Sequence, residues 1–249
     1  MSHIHVPDGI IPLSWGAGGY VVSLLIMILI IRSMDAAEAR QRIPATAMAA
    51  AIMIIGMSVP LFVVPVHLSL AVLTGILVGP KMGFLAVFVV NLILASFGHG
   101  GITIVGLNTL LIGSEVLVGS VVFKGLKQHL SVRKGAFGAT MAGVALSMVL
   151  MVLLVGSTAG FSEVLPHHHH GEHDELPAVT LTETQENEPH GHSHQHGSFH
   201  EELERIRYFT FTGWAAVGTI FLAGLMLEAA GTSLIVGYFQ RVKPQLIDR

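Results

Sequence analysis

The sequence predicts an all-α integral membrane protein. We expect a bundle of about seven transmembrane helices, with the amino terminus outside and a disordered histidine-rich insert on the extracytoplasmic side. Composition is the first indication, because 52% of the 249 residues are hydrophobic and 12% are charged, whereas soluble domains carry about 25% charged residues. The mean hydropathy is +0.69. The second indication is a series of apolar stretches of membrane-spanning length.

Seven apolar stretches predict the helices in order. They cover about residues 15–31, 45–64, 68–77, 82–97, 105–123, 136–160 and 209–239. Pro44 closes the polar turn before the second stretch. At 1.5 Å per residue most of them approach the roughly 30 Å of a bilayer core. The third is too short to cross as a helix alone, which favours a broken or re-entrant segment.

The distribution of lysine and arginine orients these helices. With seven crossings and the amino terminus outside, eleven basic residues face the inside: Arg32, Arg40, Arg42, Lys81, Lys124, Lys127, Arg133, Lys134, Arg241, Lys243 and Arg249. Only Arg205 and Arg207 face the outside. This bias is a strong positive-inside signal. It places the first nine residues, the ends of the second and fourth stretches and the long insert on the outer side.

The first nine residues, Met-Ser-His-Ile-His-Val-Pro-Asp-Gly, form the amino-terminal segment. His3 and His5 lie close to a terminal amine. Amine, deprotonated amide and imidazole nitrogens together make a nearly planar donor set, which suits Ni(II) or Cu(II) better than Zn(II). If Met1 is removed, Ser2 supplies the amine. The alternative is a polar leader that frays, as termini commonly do.

Two further histidines are candidate ligands on the same side. His67 follows Pro65 at the end of the second stretch, and His99 lies in a Gly-His-Gly-Gly run after the fourth. Taken singly, each is typical of an interfacial residue or a turn. Because the orientation brings both to the side of His3 and His5, we expect a shared metal site, with His99 as an accessory or supporting residue. Cysteine is absent, which excludes thiolate ligands and disulfides.

The insert carries ten histidines interleaved with acidic residues: His167, His168, His169, His170, His173, His190, His192, His194, His196 and His200. It has almost no hydrophobic pattern, so it should be disordered. Flexible imidazoles would provide many weak, exchangeable metal sites; the alternative is an unselective tract. The predicted organisation is therefore helices one to six with the amino-terminal segment (1–162), the histidine-rich loop (163–207), and the last helix with a cytoplasmic tail (208–249).

Two carboxylates, Glu115 and Glu228, fall inside apolar stretches. Intramembrane acids are costly and usually face the bundle interior. A buried hydrogen bond that locks two helices is favoured over a direct functional role. The chain has no Gly-rich nucleotide loop ending in Lys-Ser/Thr, and no nucleophile–base set. We therefore expect no ATPase of its own, no enzyme activity and no resident cofactor.

Several motifs resemble the NikM/CbiM family, the substrate-binding components of energy-coupling-factor transporters. Residues 4–9, Ile-His-Val-Pro-Asp-Gly, are similar to the family's amino-terminal Met-His-Ile-Pro-Asp-Gly. The segment from His67 to Gly79-Pro80 is similar to the family's stretch from its second His to Gly-Pro. Residues 99–108 resemble its His-Gly-Gly-Leu-Thr and Gly-x-Asn, and Glu228 resembles its acid in the last span. The resemblance covers the whole membrane part and omits the insert.

The resemblance implies capture of Ni(II) or Co(II) at the outer face by the amino terminus, an adjacent histidine and His67. It also implies a transmembrane coupling protein, two cytoplasmic ATPases and room for a small accessory membrane subunit, in the plasma membrane of a prokaryotic cell. Motif matching names His5 as the primary ligand, whereas chelation by the amine favours His3. The rival interpretation is a secondary carrier or channel for Zn(II)-like metals.

Overall fold

The structure, a computed structural model, describes residues 9, 11–58, 67–158, 207–208, 211–212 and 214–247. These residues contain the helices α1 (Leu13–Arg32), α2 (Ala36–Ser58), α3 (Ala71–Val78), α4 (Pro80–Ser96), α5 (Val105–Leu126), α6 (Val132–Thr158) and α7 (Trp214–Val242). Two 3-10 turns, Ile102–Ile104 and Pro244–Leu246, and an antiparallel pair of two-residue strands, β1 (Arg207–Tyr208) and β2 (Phe211–Thr212), complete the described elements.

The helices form a membrane bundle around α5. Four of the described helices are long and apolar enough to cross a bilayer: Leu13–Arg32, Ile102–Leu126, Val132–Thr158 and Gly218–Val242. α5 packs against α1, α3, α4 and α6, and α6 packs against α7. The predicted all-α membrane class is confirmed.

The start of α2 corrects the sequence prediction. Pro44 lies inside α2, which begins at Ala36 instead of near residue 45. The carboxylate of Asp35 caps this earlier start, because it accepts the backbone N–H of Ala37 at 2.7 Å and that of Glu38 at 3.3 Å. A side-chain cap of this kind satisfies the free donors of a first helical turn. The polar segment that we expected to be a turn is therefore the first two turns of a helix.

The bundle has two chemically different ends. At the end called the basic end, Lys81 Nζ donates to the carbonyl of Ser33 at 3.0 Å, and Arg42 Nη1 donates to the carbonyl of Val78 at 3.1 Å. These contacts bring together the end of α1, the start of α2, the end of α3 and the start of α4. The opposite end, called the histidine end, carries His67 and His99.

The third predicted stretch is a broken crossing. Residues 67–70 are not helical, and α3 adds eight residues, all of them buried. The chain thus runs from His67 at the histidine end to Val78 at the basic end, with four residues of irregular backbone followed by eight of helix. Irregular backbone at membrane depth is tolerated where protein buries it. The described part of this segment therefore runs from one end of the bundle to the other with a break before α3, which fits the broken segment that was one of the two expectations.

Glu228 of α7 supplies the hydrogen bonds that this break requires. Its carboxylate accepts the backbone N–H of Leu70 at 2.9 Å and that of Ser69 at 3.2 Å. Both donors precede α3, where no helical partner is available to them. Its oxygens also lie at the amino-terminal end of α3, where the macrodipole favours groups that carry negative charge. α7 therefore holds α3 at the point where the crossing changes from coil to helix.

The hydroxyl of Ser69 joins this carboxylate to Glu115 of α5. Ser69 Oγ lies 2.5 Å from Glu228 Oε1 and 2.6 Å from Glu115 Oε2. A hydroxyl has one hydrogen to donate, so the second short oxygen contact requires a proton on one carboxyl group. Because Glu228 already accepts two N–H groups, we assign the proton to Glu115, which donates to Ser69 Oγ. Both acids thus take part in the helix-locking bonds that the sequence favoured.

Glycines let α1 approach α5 closely. A Cβ atom on Gly106 would lie 2.3 Å from the backbone nitrogen of Tyr20, and one on Gly16 would lie 2.6 Å from the carbonyl oxygen of Thr103. The hydroxyl of Tyr20 donates to the carbonyl of Ile102 at 2.5 Å. Small residues at such contacts are typical of helix packing in membranes. The contact fixes α1 beside the 3-10 turn that follows His99.

The proton assignment predicts unequal effects of two conservative substitutions. Glu228→Gln removes the carboxylate that accepts hydrogen bonds from the N–H groups of Ser69 and Leu70 and from the hydroxyl of Ser69. It should lower the free energy of unfolding by about 1–3 kcal/mol. Glu115→Gln replaces a neutral acid by a neutral amide that still donates, so it should cost less than about 1 kcal/mol. Thermal unfolding of both variants in the same detergent measures the difference. The reverse order would show that the proton belongs to Glu228.

The α1–α5 contact predicts a second pair of effects. Gly106→Ala places a methyl group against the backbone of α1 and should cost about 1–3 kcal/mol, as overpacking does. Gly125→Ala is the matched control, because Gly125 lies in the same helix with nothing within 4 Å of the added Cβ, and alanine favours a helix by up to about 1 kcal/mol. Thermal unfolding checks the pair. Equal stability of the two variants would contradict the close approach.

Candidate metal site

His67 and His99 meet at the histidine end. Their ring centroids are 6.4 Å apart and their planes are inclined by 71°, although 31 residues separate them in the sequence. Imidazole nitrogens bind Zn(II) at about 2.0–2.1 Å, so two rings that share one ion must be near neighbours, as these two are. The structure brings together these two predicted candidates. Their role as ligands stays a prediction.

The end of α4 sets the position of His99. Gly98 has φ +78°, the left-handed conformation that glycine adopts without strain. The N–H of His99 donates to the carbonyl of Leu94 at 2.9 Å, and the N–H of Gly98 donates to that of Ala95 at 3.1 Å. This pair of bonds is a Schellman motif. His99 is therefore placed by the backbone of a helix terminus, and its side chain is exposed.

His67 is held through the two residues that follow it in the chain. The N–H of Leu68 donates to the carbonyl of Gly56 in α2 at 3.1 Å. A Cβ atom on Gly56 would lie 2.8 Å from the carbonyl oxygen of Leu68, so the two backbones are in close contact. The next residue, Ser69, donates its backbone N–H to the carboxylate of Glu228. His67 is thus anchored to α2 and α7 at once.

The surroundings of His67 favour the neutral form that binds metals. Partial burial lowers the pKa of His67, and the nearby imidazole of His99 lowers it further, while a backbone hydrogen bond with Met57 acts in the opposite direction. Burial disfavours the charged imidazolium. A neutral imidazole has the lone pair that a metal ion requires.

The amino-terminal segment leads to the same end of the bundle. Ile11, only 5% exposed, packs with Ile104, Leu107 and Val155, and Gly9 has φ +93°. α1 then runs from the histidine end to the basic end. The predicted ligands Ser2, His3 and His5 lie outside the described residues, so their positions relative to His67 stay predictions.

The insert also joins the bundle at the histidine end. α6 starts at the basic end, where the carbonyl of Arg133 accepts a bond from the hydroxyl of Ser233 at 3.0 Å, and it ends at Thr158 on the other side. α7 starts again at the histidine end. The ten predicted histidines between residues 167 and 200 lie outside the described residues.

The described part of the chain contains no group of three or more His, Cys, Asp or Glu side chains placed to hold a metal ion. A site built on His67 and His99 therefore needs donors from elsewhere in the chain. Ser69, which connects the loop of His67 to Glu115 and Glu228, was not among the predicted site residues. The signal was a hydroxyl two residues after His67, in an apolar run, within a chain that has two intramembrane acids.

Comparison with known proteins identifies the family. Residues 5–246 match the model of a family described as "Cobalt uptake substrate-specific transmembrane region" (CbiM). A crystal structure of a transition metal transporter has the same fold, with a TM-score of 0.63 and 19% identity over 96% of this chain and 93% of that one. A truncated transition metal transporter gives 0.62 and 19% over 95% and 98%. No curated protein matches the chain. Because the family model matches nearly the whole length, the chain belongs to the CbiM family of substrate-specific transmembrane regions for cobalt uptake.

Proposed function

We propose that this chain is the membrane-embedded capture subunit of an ATP-driven importer of Ni(II) or Co(II). The observation that carries the proposal is the meeting of His67 and His99 at the end of the bundle where the amino-terminal segment and the insert attach. Membership of a cobalt-uptake family supports metal import. In this proposal the histidine end faces the outside of the cell, as the lysine and arginine distribution predicts.

The proposed site combines donors from two segments. If Met1 is removed, Ser2 and His3 supply an amine, an amide and an imidazole nitrogen, and His67 completes a plane of four. Such a nitrogen-rich plane favours Ni(II), whereas the family description names cobalt. His5 is the other choice for the primary ligand, and His99 lies close enough to His67 to act as an accessory ligand or to support it. The metal is cargo, and the protein holds it only until release.

The insert would serve this site by mass action. Its ten imidazoles would hold divalent ions weakly and exchange them, which would raise the local metal concentration without forming a cage. Because the insert attaches at the histidine end, ions that it releases are delivered beside His67 and His99.

Energy for transport would come from partners. The chain has no nucleotide-binding loop of its own, so we propose a transmembrane coupling protein and two cytoplasmic ATPases that act from the basic end. The rival interpretation, a secondary carrier of Zn(II)-like ions, requires ionisable residues along several helices as a path. Among the described residues, the two acids in the apolar helices are Glu115 and Glu228, and both are engaged by residues 69–70.

The proposal predicts that His67→Ala abolishes tight binding of Ni(II) and Co(II). The protein should still fold, because the helix-locking bonds of Glu228 use residues 69–70 and not the imidazole. Calorimetry and visible absorption of the purified protein measure the loss, and thermal unfolding verifies the fold. His129→Ala is the control, since His129 lies in the turn after α5 at the basic end. Unchanged affinity in His67→Ala would remove His67 from the site.

A second prediction concerns the amine. Residues added before Ser2 move the amine away from His3 and break the chelate, so an amino-terminally extended protein should bind Ni(II) much more weakly than a carboxyl-terminally tagged one. The same calorimetry on His3→Ala and His5→Ala distinguishes the two candidate ligands. Full affinity in the extended protein would exclude the amine. Loss with His5→Ala alone would name His5 as the primary ligand.

A further inference from the structure

We propose that a cavity at the basic end binds the phosphate group of an anionic phospholipid. The cavity measures about 230 Å³ and lies where the α1–α2 turn, the α3–α4 junction and α5 meet. One water molecule needs only about 10–15 Å³ of such space, so a tetrahedral phosphate group has room. The lining residues that matter here are Ser33, Arg42, Gly79, Pro80, Lys81 and Lys124.

The charge of the lining favours an anion. Arg42, Lys81 and Lys124 bring three positive charges to the cavity, and Glu38 brings one negative charge. The carboxylate of Glu38 is paired with Arg42 one turn away. Lys81 donates to the carbonyl of Ser33, a neutral partner that leaves its charge uncompensated. A phosphate group between these side chains would balance the excess positive charge.

The backbone around the cavity adds to this attraction. α4 begins at Pro80, so its positive amino-terminal end lies at the cavity, and Lys81 and Met82 of its first turn belong to the lining. The first N–H groups of a helix have no intrahelical partner, and anions bind there readily. The side-chain cations and the amino-terminal end of the 17-residue helix α4 therefore meet at the same cavity.

Arg42 is held in place by the same junction. Its Nη1 donates to the carbonyl of Val78 at 3.1 Å. Gly79 has φ +87°, and a Cβ atom there would lie 3.0 Å from Arg42 Nη1. The guanidinium is therefore fixed against the end of α3 before any ligand arrives, which lowers the entropy that binding would lose.

The position of the cavity points to a lipid in preference to a free anion. It lies at the ends of the membrane helices, at the level of lipid headgroups. α1, which borders it through Ser33, buries only Gly16, Gly19 and Ser23, and Ile31 is 59% exposed. Acyl chains can therefore lie along α1 while the phosphate occupies the cavity. Basic pockets between membrane helices on the cytoplasmic side bind such headgroups. The inference does not depend on metal binding at the histidine end.

Native mass spectrometry of the delipidated full-length protein tests the proposal. Dioleoylphosphatidylglycerol is titrated against dioleoylphosphatidylcholine, and we expect preferential retention of the anionic lipid. Lys81→Gln and Lys124→Gln should each weaken that retention roughly fivefold. Lys134→Gln and Lys243→Gln are the matched controls, because both side chains are exposed at the basic end and neither lines the cavity.

Each outcome decides the question. Loss in the two cavity variants with retention in the two controls supports the proposal. Equal loss in all four variants would reduce the effect to surface charge and overturn it. Displacement of the lipid by millimolar inorganic phosphate would show a site for free anions. Unchanged lipid retention combined with lost assembly with the ATPases would assign the cavity to an acidic group of a partner protein.

Discussion

The carboxylate of Glu228 is the constraint on which the rest of the structure depends. Irregular backbone within a membrane bundle is stable only when its N–H groups find acceptors, and Glu228 accepts those of Ser69 and Leu70. Without these bonds, the crossing between His67 and α3 would leave polar groups unsatisfied in an apolar interior. A helix there would satisfy its own backbone but would remove the loop that carries His67.

The broken crossing connects the histidine end of the bundle with the basic end. At one end it presents His67 to His99, and at the other it presents the carbonyl of Val78 to Arg42 beside the basic cavity. The eight residues of α3 between them are all buried. Closely packed interiors transmit displacements over such distances. A change imposed at the basic end therefore has a direct mechanical route to the loop that carries His67.

Much of the fold could be predicted from hydrophobicity alone, because bilayer thickness imposes helix length. The break at residues 67–70 was anticipated from the shortness of the third stretch. The start of α2 was missed, since Pro44 indicates a helix boundary but is tolerated inside a helix that Asp35 caps upstream. The proximity of His67 and His99 was expected, because the distribution of lysine and arginine predicts that both lie on the same side of the membrane. The role of Ser69 could not be predicted, because its hydroxyl contacts carboxyl groups that lie 46 and 159 residues away in the sequence.

The length of α4 has a consequence for the membrane that surrounds the protein. Its 17 residues rise by about 26 Å, which is less than the roughly 30 Å of a typical hydrocarbon core. Pro80 fixes one end of this helix and the Schellman motif before His99 fixes the other, so the helix cannot lengthen to match. A short membrane helix is accommodated in a thick bilayer by local thinning of the lipid or by flanking side chains that reach to the interface. The chain length of the surrounding lipid would therefore change how far the histidine end and the basic end lie from the aqueous phase.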